Sequence, residues 1–248
     1  LIYHEKDDTF NTFVYKTKSK KYLVIGSSST LTTEYRILNA NTPNNQFSIF
    51  QPRQRGLEYS ISHYDNKFYV LTNKDGATNF KLMETPEIKT NQEHWVDLIS
   101  HRKDVLLEDV EIFKDYLVLS ERCNGLNKIK VIAWNDPESG YYLDFESETY
   151  TAYPSTNLDF DTSTLRYFYN SLTTPASTID FNMLTKQREV KKEQEVLGGK
   201  FDKNNYKSER IWATARDGKK VAISLVYHKD TELNKNTPLL QYAYGSYG

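Results

Sequence analysis

Few residues in this sequence have types and spacing that suggest chemistry. Asp7-Asp8 and Asp159 with Asp161 offer paired carboxylates, the minimum a glycosidase needs for acid and base work. Acids in short loops are ordinarily solvated or matched by lysine, and that reading is preferred. The five histidines, His4, His63, His94, His101 and His228, are scattered. His4-Glu5 opens like a His-Glu-x-x-His motif, but Asp8 occupies the second ligand position, so no metal site is expected. The lone Cys123 can form neither an intrachain disulfide nor a cysteine cluster, and reads as a buried or edge thiol. Gly245-Ser246-Tyr247-Gly248 is no phosphate loop, because no Gly-Lys-Ser/Thr follows, and Ser246 lacks the Gly-x-Ser-x-Gly elbow of a hydrolase nucleophile. By residue type alone, Tyr244 and Tyr247 are packing aromatics in a chain with 19 tyrosines.

Composition narrows the class without naming a reaction. The 248 residues carry 32 Lys and Arg against 33 Asp and Glu, which argues against a nucleic-acid binder with its basic stripe. Aromatics at 14% are too many for a disordered chain, so a folded core is expected. No stretch approaches the roughly 20 apolar residues of a membrane span, and Leu1 to Phe10 lacks the plan of a signal peptide. The expected setting is cytoplasmic, with no membrane or nucleic-acid partner and no cofactor. Both ends read as cuts: the chain opens on Leu1-Ile2-Tyr3 and closes on an apolar run, Leu239 to Tyr244, entering a Gly-rich turn. That run is expected to be a strand.

The elements that must position any site follow a repeat. Apolar runs begin at Tyr22, Phe68, Tyr116 and Arg166, at intervals of about 47 residues. A shorter run precedes each: Phe13-Val14-Tyr15, Tyr59-Ser60-Ile61, Val110 to Phe113 and Leu158-Asp159-Phe160. A third run follows at Tyr35, Phe80, Ile129 and Thr178, and a weaker fourth at Phe47, Trp95, Tyr142 and Gln187. Four short strands per unit at this spacing are the pattern of a β-propeller blade. The second run is apolar on both faces, as a strand sandwiched between neighbouring blades must be. Asp75-Gly76 and Asn124-Gly125 supply positive-φ turn residues after second runs. The predicted blades are 9–52, 57–100, 105–150 and 155–196. Near Leu197-Gly198-Gly199 the repeat stops, and Arg216-Asp217-Gly218-Lys219 marks a hairpin between two new strands. The predicted division is a propeller part over 1–199 and the opening of another domain over 200–248, too short to hold a core alone.

The second part carries a resemblance. Ser208 to His228 (SERIWATARDGKKVAISLVYH) and Pro238 to Gly248 (PLLQYAYGSYG) resemble the start of the hydrolase domain in the prolyl oligopeptidase family of serine peptidases, and most of all its oligopeptidase B branch. Upstream, Glu5 to Phe10, Tyr15 to Ile25, Glu34 to Ala40, Phe113 to Arg122, Asn124 to Leu126 and Arg166 to Ser177 also resemble that branch, so the likeness covers essentially the whole chain. The family motif reads Gly-Tyr-Gly-Ser-Tyr-Gly, and here Ala243 replaces the first glycine.

The resemblance implies an all-β chain: a partial β-propeller of about four four-stranded blades, followed by the first strands of an α/β-hydrolase domain. It implies a parent enzyme that hydrolyses short peptides after Lys or Arg, with the propeller limiting access. Tyr244 falls where the family places its oxyanion-stabilising tyrosine, and Tyr247 where an aromatic ring lines the primary specificity pocket. The family's nucleophile, acid and base histidine lie beyond this motif, so the chain alone is expected to be inactive. Arg122, following an apolar strand, is expected at a blade edge or in the central channel, bridging to the hydrolase part. The competing reading is a non-catalytic propeller that binds a protein or peptide. An open array of blades would expose two apolar faces, and a homodimer through them is expected.

Overall fold

Residues 1–245 are described by the structure, a computed structural model. Its strands form four antiparallel meanders of four and one separate hairpin. The first blade is β1 (Asn11–Lys16), β2 (Tyr22–Ser28), β3 (Thr33–Asn39) and β4 (Ser48–Gln51). The second is β5 (Tyr59–Tyr64), β6 (Lys67–Thr72), β7 (Lys81–Pro86) and β8 (Val96–Ile99). The third is β9 (Val105–Ile112), β10 (Tyr116–Cys123), β11 (Leu126–Ala133) and β12 (Asp136–Tyr142), and the fourth β13 (Tyr150–Pro154), β14 (Thr164–Ser171), β15 (Ser177–Asn182) and β16 (Arg188–Glu193). The hairpin of β17 (Tyr206–Thr214) and β18 (Lys220–His228) follows. Turn chemistry sets the reversals: Asn124 and Gly125 have φ of 51° and 73°, the paired positive values of a two-residue turn between Cys123 and Leu126.

Burial lies between the blades. On β6, Phe68 and Val70 join Val24, Ile37 and Phe50 of the first blade, while Tyr69 and Leu71 turn to Leu107, Leu117 and Leu119 of the third. On β10, Val118 faces the fourth blade, meeting Leu165, Tyr167 and Phe181. Thus three apolar clusters are three blade interfaces, and the second strands are apolar on both faces because each face meets a different neighbour. Each large side chain buried there is worth about 1.5–3 kcal/mol.

The two outer faces differ. On the first blade a cross-strand row of Val14, Ile25, Arg36 and Ile49 shares the outer face; Val14 and Ile49 are exposed, whereas Ile25 is buried and Arg36 is covered by the Tyr3 ring at 4.3 Å. On the fourth, the outward row carries Arg166 paired with Asp180 at 2.7 Å, beside Thr178 and Asn170. The first blade thus exposes Val14 and Ile49 on its outer face, while that of the fourth is largely polar, apart from the stacked Tyr153 and Phe168.

Three strand positions differ from the sequence expectation. The fourth strand of the third blade is Asp136–Tyr142 rather than Tyr142 to Phe145. It contains Pro137 and Gly140, which an outer edge strand tolerates because one side of its ladder is free. The first strand of the fourth blade is Tyr150–Pro154, not Leu158 to Phe160. Loop 155–163 is held instead by Asn157, whose side chain accepts from Arg166 N at 2.7 Å and donates to Arg166 O at 3.0 Å. Finally, Leu239 to Tyr244 is not a strand: with no neighbouring ladder to complete, Leu240 and Tyr242 stay exposed.

Candidate functional site

Meander topology sends alternate turns to opposite ends of the array. At one end the second-to-third strand turns meet the connections between blades: Asn79 Nδ2 donates to Arg102 O and Lys103 O at 3.1 and 2.9 Å, and Asn73 Nδ2 to Gly56 O at 3.0 Å. The β17–β18 hairpin is attached here. Arg210 donates to Asn124 O in the β10–β11 turn, its backbone N–H donates to Glu148 at 3.1 Å, and Ser208 meets Thr149. Gly125 leaves room for that arginine: a Cβ there would stand 3.1 Å from Arg210 Nη2.

Tyr244, the residue singled out for oxyanion stabilisation, lies past β18 and is 70% exposed. It is not at the end of a strand, and no hydrogen bond to its hydroxyl is formed among the described residues. Tyr247, together with Ser246 and Gly248, lies outside the described residues. Arg122 does not bridge to the hairpin. Its Nε donates to Glu108 at 2.7 Å within its own blade, and Asn127 donates to the other Glu108 oxygen at 2.9 Å. The bridging arginine is Arg210, running from the hairpin to the blade. Its sequence signal was slight, one of three charges, with Lys207 and Glu209, in a strand otherwise free of them.

The Arg122–Glu108 pair depends on a backbone irregularity. Leu107 pairs with Glu121 and Asp109 with Ser120, so Glu108 is the extra residue of a bulge. The bulge shifts the phase of β9, and so Val105 and Leu107 share the buried face with Val110 and Ile112. On the facing strand Glu121 is 1% exposed and held by Arg102 and by Tyr142 Oη, which donates to it at 2.6 Å.

At the opposite end the first-to-second strand turns converge. Lys18 of the first blade reaches Glu111 of the third at 2.7 Å and lies 3.7 Å from the centre of the Phe113 ring. Burial pulls the lysine down and pushes the carboxyl up, against the attraction between them. Tyr64 Oη donates to Lys114 O at 3.0 Å, and Lys114 pairs with Asp161 at 2.8 Å. His63, 3% exposed, stands between the first two blades, with Nε2 3.2 Å from Glu87 and Nδ1 2.8 Å from Ser19 Oγ. Glu87 accepts from Nε2–H, which leaves Nδ1 to accept the serine hydroxyl. Burial lowers the imidazole below its usual range, with Lys21 acting the same way and Glu87 opposing. Lys21 and Tyr22 also donate to Glu87, at 2.5 and 3.1 Å. Sequence spacing could not find this cluster, because its members come from three separate segments: Ser19 to Tyr22, His63 on β5, and Glu87 just after β7.

Among the described residues no group of three His, Cys, Asp or Glu is placed to hold a metal ion. Among the described residues no serine, histidine and carboxylate are hydrogen-bonded together at the hairpin end. What this geometry provides is a rigid scaffold with a charged axial end and a second end that carries the hairpin.

Comparison with known proteins agrees with that layout. The family model for the prolyl oligopeptidase N-terminal β-propeller domain matches residues 1–194. Dipeptidyl aminopeptidase BI of Pseudoxanthomonas mexicana is 39% identical over 100% of this chain, and Protease 2 of Moraxella lacunata 31% over 100%. The chain spans about a third of each relative's length, 34% and 35%. Among solved structures, oligopeptidase B from Leishmania major aligns over 93% of this chain and 33% of its own, at 32% identity and a TM-score of 0.83. Oligopeptidase B from Trypanosoma brucei with covalently bound antipain aligns over 94% and 34%, at 32% identity and a TM-score of 0.85. With four blades in order and a family match that runs across all of them, this chain belongs to the prolyl oligopeptidase family, residues 1–194 matching its N-terminal β-propeller domain.

Proposed function

We propose that this chain is the propeller part, with the opening strands of the hydrolase part, of a serine oligopeptidase that cleaves short peptides after Lys or Arg. The observation that carries the reading is the extent of the likeness to peptidases, which spans 100% of the chain and so includes β17, β18 and the Tyr244 segment. The propeller supplies a scaffold that restricts access by size. The hairpin, held to the third blade by Arg210, begins the part that does the chemistry. Tyr244 would aim its hydroxyl at the oxygen on which acyl transfer builds negative charge. The setting remains cytoplasmic in this proposal.

The test uses the longer protein that contains this sequence. An N-blocked arginyl amide should be hydrolysed and a blocked prolyl amide left intact, with the nucleophile found in a Gly-x-Ser-x-Gly elbow after residue 248. Absence of that elbow would overturn the reading and favour the non-catalytic binding module. The 248-residue chain alone should leave the arginyl amide uncleaved.

A second reading is favoured by one observation, the 39% identity to a protein named a dipeptidyl aminopeptidase. Release of dipeptides requires recognition of a free amino terminus. Substrates with free and blocked termini separate the two: cleavage of free termini alone would establish the exopeptidase.

A further inference from the structure

A cavity of about 690 Å³ lies at the hairpin end, between the fourth blade and the start of β17. That volume is within the roughly 300–1,000 Å³ of small-ligand sites, which occur preferentially where two structural units meet. Its floor is aromatic. Phe145 stacks on Tyr169 at 5.5 Å and meets Tyr167 edge-on at 5.9 Å, and Tyr206 of β17 also lines the cavity. Its rim is acidic, with Glu146, Glu148 and Glu193. Several blade carboxylates are matched by cations, as in Arg102–Glu121, Arg122–Glu108 and Arg166–Asp180, while others, such as Asp109 and Asp136, are not matched among the described residues. The three rim glutamates form no ion pair among the described residues. Glu148 accepts only the Arg210 backbone N–H, and Glu193 reaches only Ser177 Oγ, at 3.5 Å.

The wall already accepts one guanidinium. Arg188 places its Cζ 5.9 Å from the centres of both the Phe145 and Phe181 rings and donates to Asp144 O. Arg188 and Lys203 are the two basic residues lining the cavity, against three carboxylates. An aromatic face attracts a cation through its quadrupole, and unpaired carboxylates at the rim add charge complementarity.

We propose that this cavity is an exosite that takes an arginine side chain of a bound peptide, its guanidinium laid on the Phe145–Tyr169 stack and held by Glu146 and Glu193. It would engage a basic residue distant from the bond being cut. The inference rests on the peptidase reading only for its use; binding itself needs no catalytic residue and is tested on this chain.

The probe is a fluorescein-labelled Gly-Gly-Arg-Gly-Gly amide, with the citrulline peptide as its uncharged isostere. Anisotropy titrations at low salt should show the arginine peptide binding at least tenfold more tightly than the citrulline peptide, with the difference shrinking as salt is added. Unlabelled N-acetylarginine amide should compete, because the recognised group is the guanidinium. The double variant Glu146→Gln/Glu193→Gln, whose side chains lie on the surface, should lose about tenfold in affinity with its circular dichroism unchanged. Equal binding of the two peptides, or equal affinity of the folded double variant, would overturn the exosite. Failure of the longer protein to cleave arginyl amides, with binding retained here, would overturn the peptidase reading alone.

Discussion

At the scale of single residues, two tyrosines and one histidine illustrate different kinds of evidence. Tyr244 is placed by motif alone. In the longer protein, Tyr244→Phe should reduce kcat by roughly 10²–10³, the usual effect of one oxyanion donor, with KM little changed; steady-state kinetics on an arginyl amide would remove the assignment if turnover is unaltered. Tyr247 remains a proposal for the specificity pocket. His63 is placed by packing, and its titration has a definite sign. Burial holds its folded form below the ordinary histidine range, so the unfolded chain binds more protons as pH falls through about 6.5. Its contribution to stability is complete above that pH and is lost on acidification toward its folded value. Glu87, held down by Lys21, His63 and Tyr22 despite its burial, adds a second loss in the same direction at lower pH. Urea midpoints measured from pH 8 to 5 should therefore fall, and His63→Gln should flatten that slope; parallel slopes would show that His63 does not set it. None of this was legible in the spacing of five scattered histidines, because Ser19, His63 and Glu87 meet only when two blades stack.

Strands and turns were more legible, and where they were not, the reason is local. Second strands such as Phe68 to Leu71 announced themselves through continuous apolar runs, and Asn124-Gly125 through its turn chemistry. Edge strand β12 was hidden by Pro137 and Gly140, residues that argue against a central strand but not against an edge. Strand β13 was displaced in the expectation by the apolar pair Leu158 and Phe160, which belong to a loop that Asn157 organises. The bulge at Glu108 left a trace, because buried Val105 and Leu107 are out of step with Val110 and Ile112. Deleting Glu108 would restore a regular ladder with Val105, Leu107, Val110 and Ile112 still on one face, and would remove only the carboxylate shared by Arg122 and Asn127. Loss of that partly exposed pair should cost no more than about 1 kcal/mol, read as a nearly unchanged urea midpoint; a fall of several kcal/mol would mean that the bulge itself shapes the packing against the second blade.

For the whole molecule, the outer faces decide how it associates. The first blade presents Val14 and Ile49 outward, whereas the fourth presents the Arg166–Asp180 pair. The expected homodimer through exposed blade faces is therefore tested at the first blade, where Val14 and Ile49 are exposed. Sedimentation of the wild-type chain should show a dimer that Val14→Glu dissociates, while Thr178→Glu on the fourth blade leaves it intact. A monomer at all concentrations would overturn this.

The sequence alone determined that the chain is built from four-stranded units, that their second strands are sandwiched, and that the repeat ends near residue 198. These are consequences of local periodicity and turn chemistry, which each segment carries independently of its neighbours. Tertiary structure decided which charges meet. It joined Lys18 to Glu111 across an intervening blade, gave the bridging role to Arg210 instead of Arg122, and set an aromatic floor beneath unpaired carboxylates. Such partners lie tens of residues apart, and only the angle at which each blade stacks on the next brings them within hydrogen-bonding range.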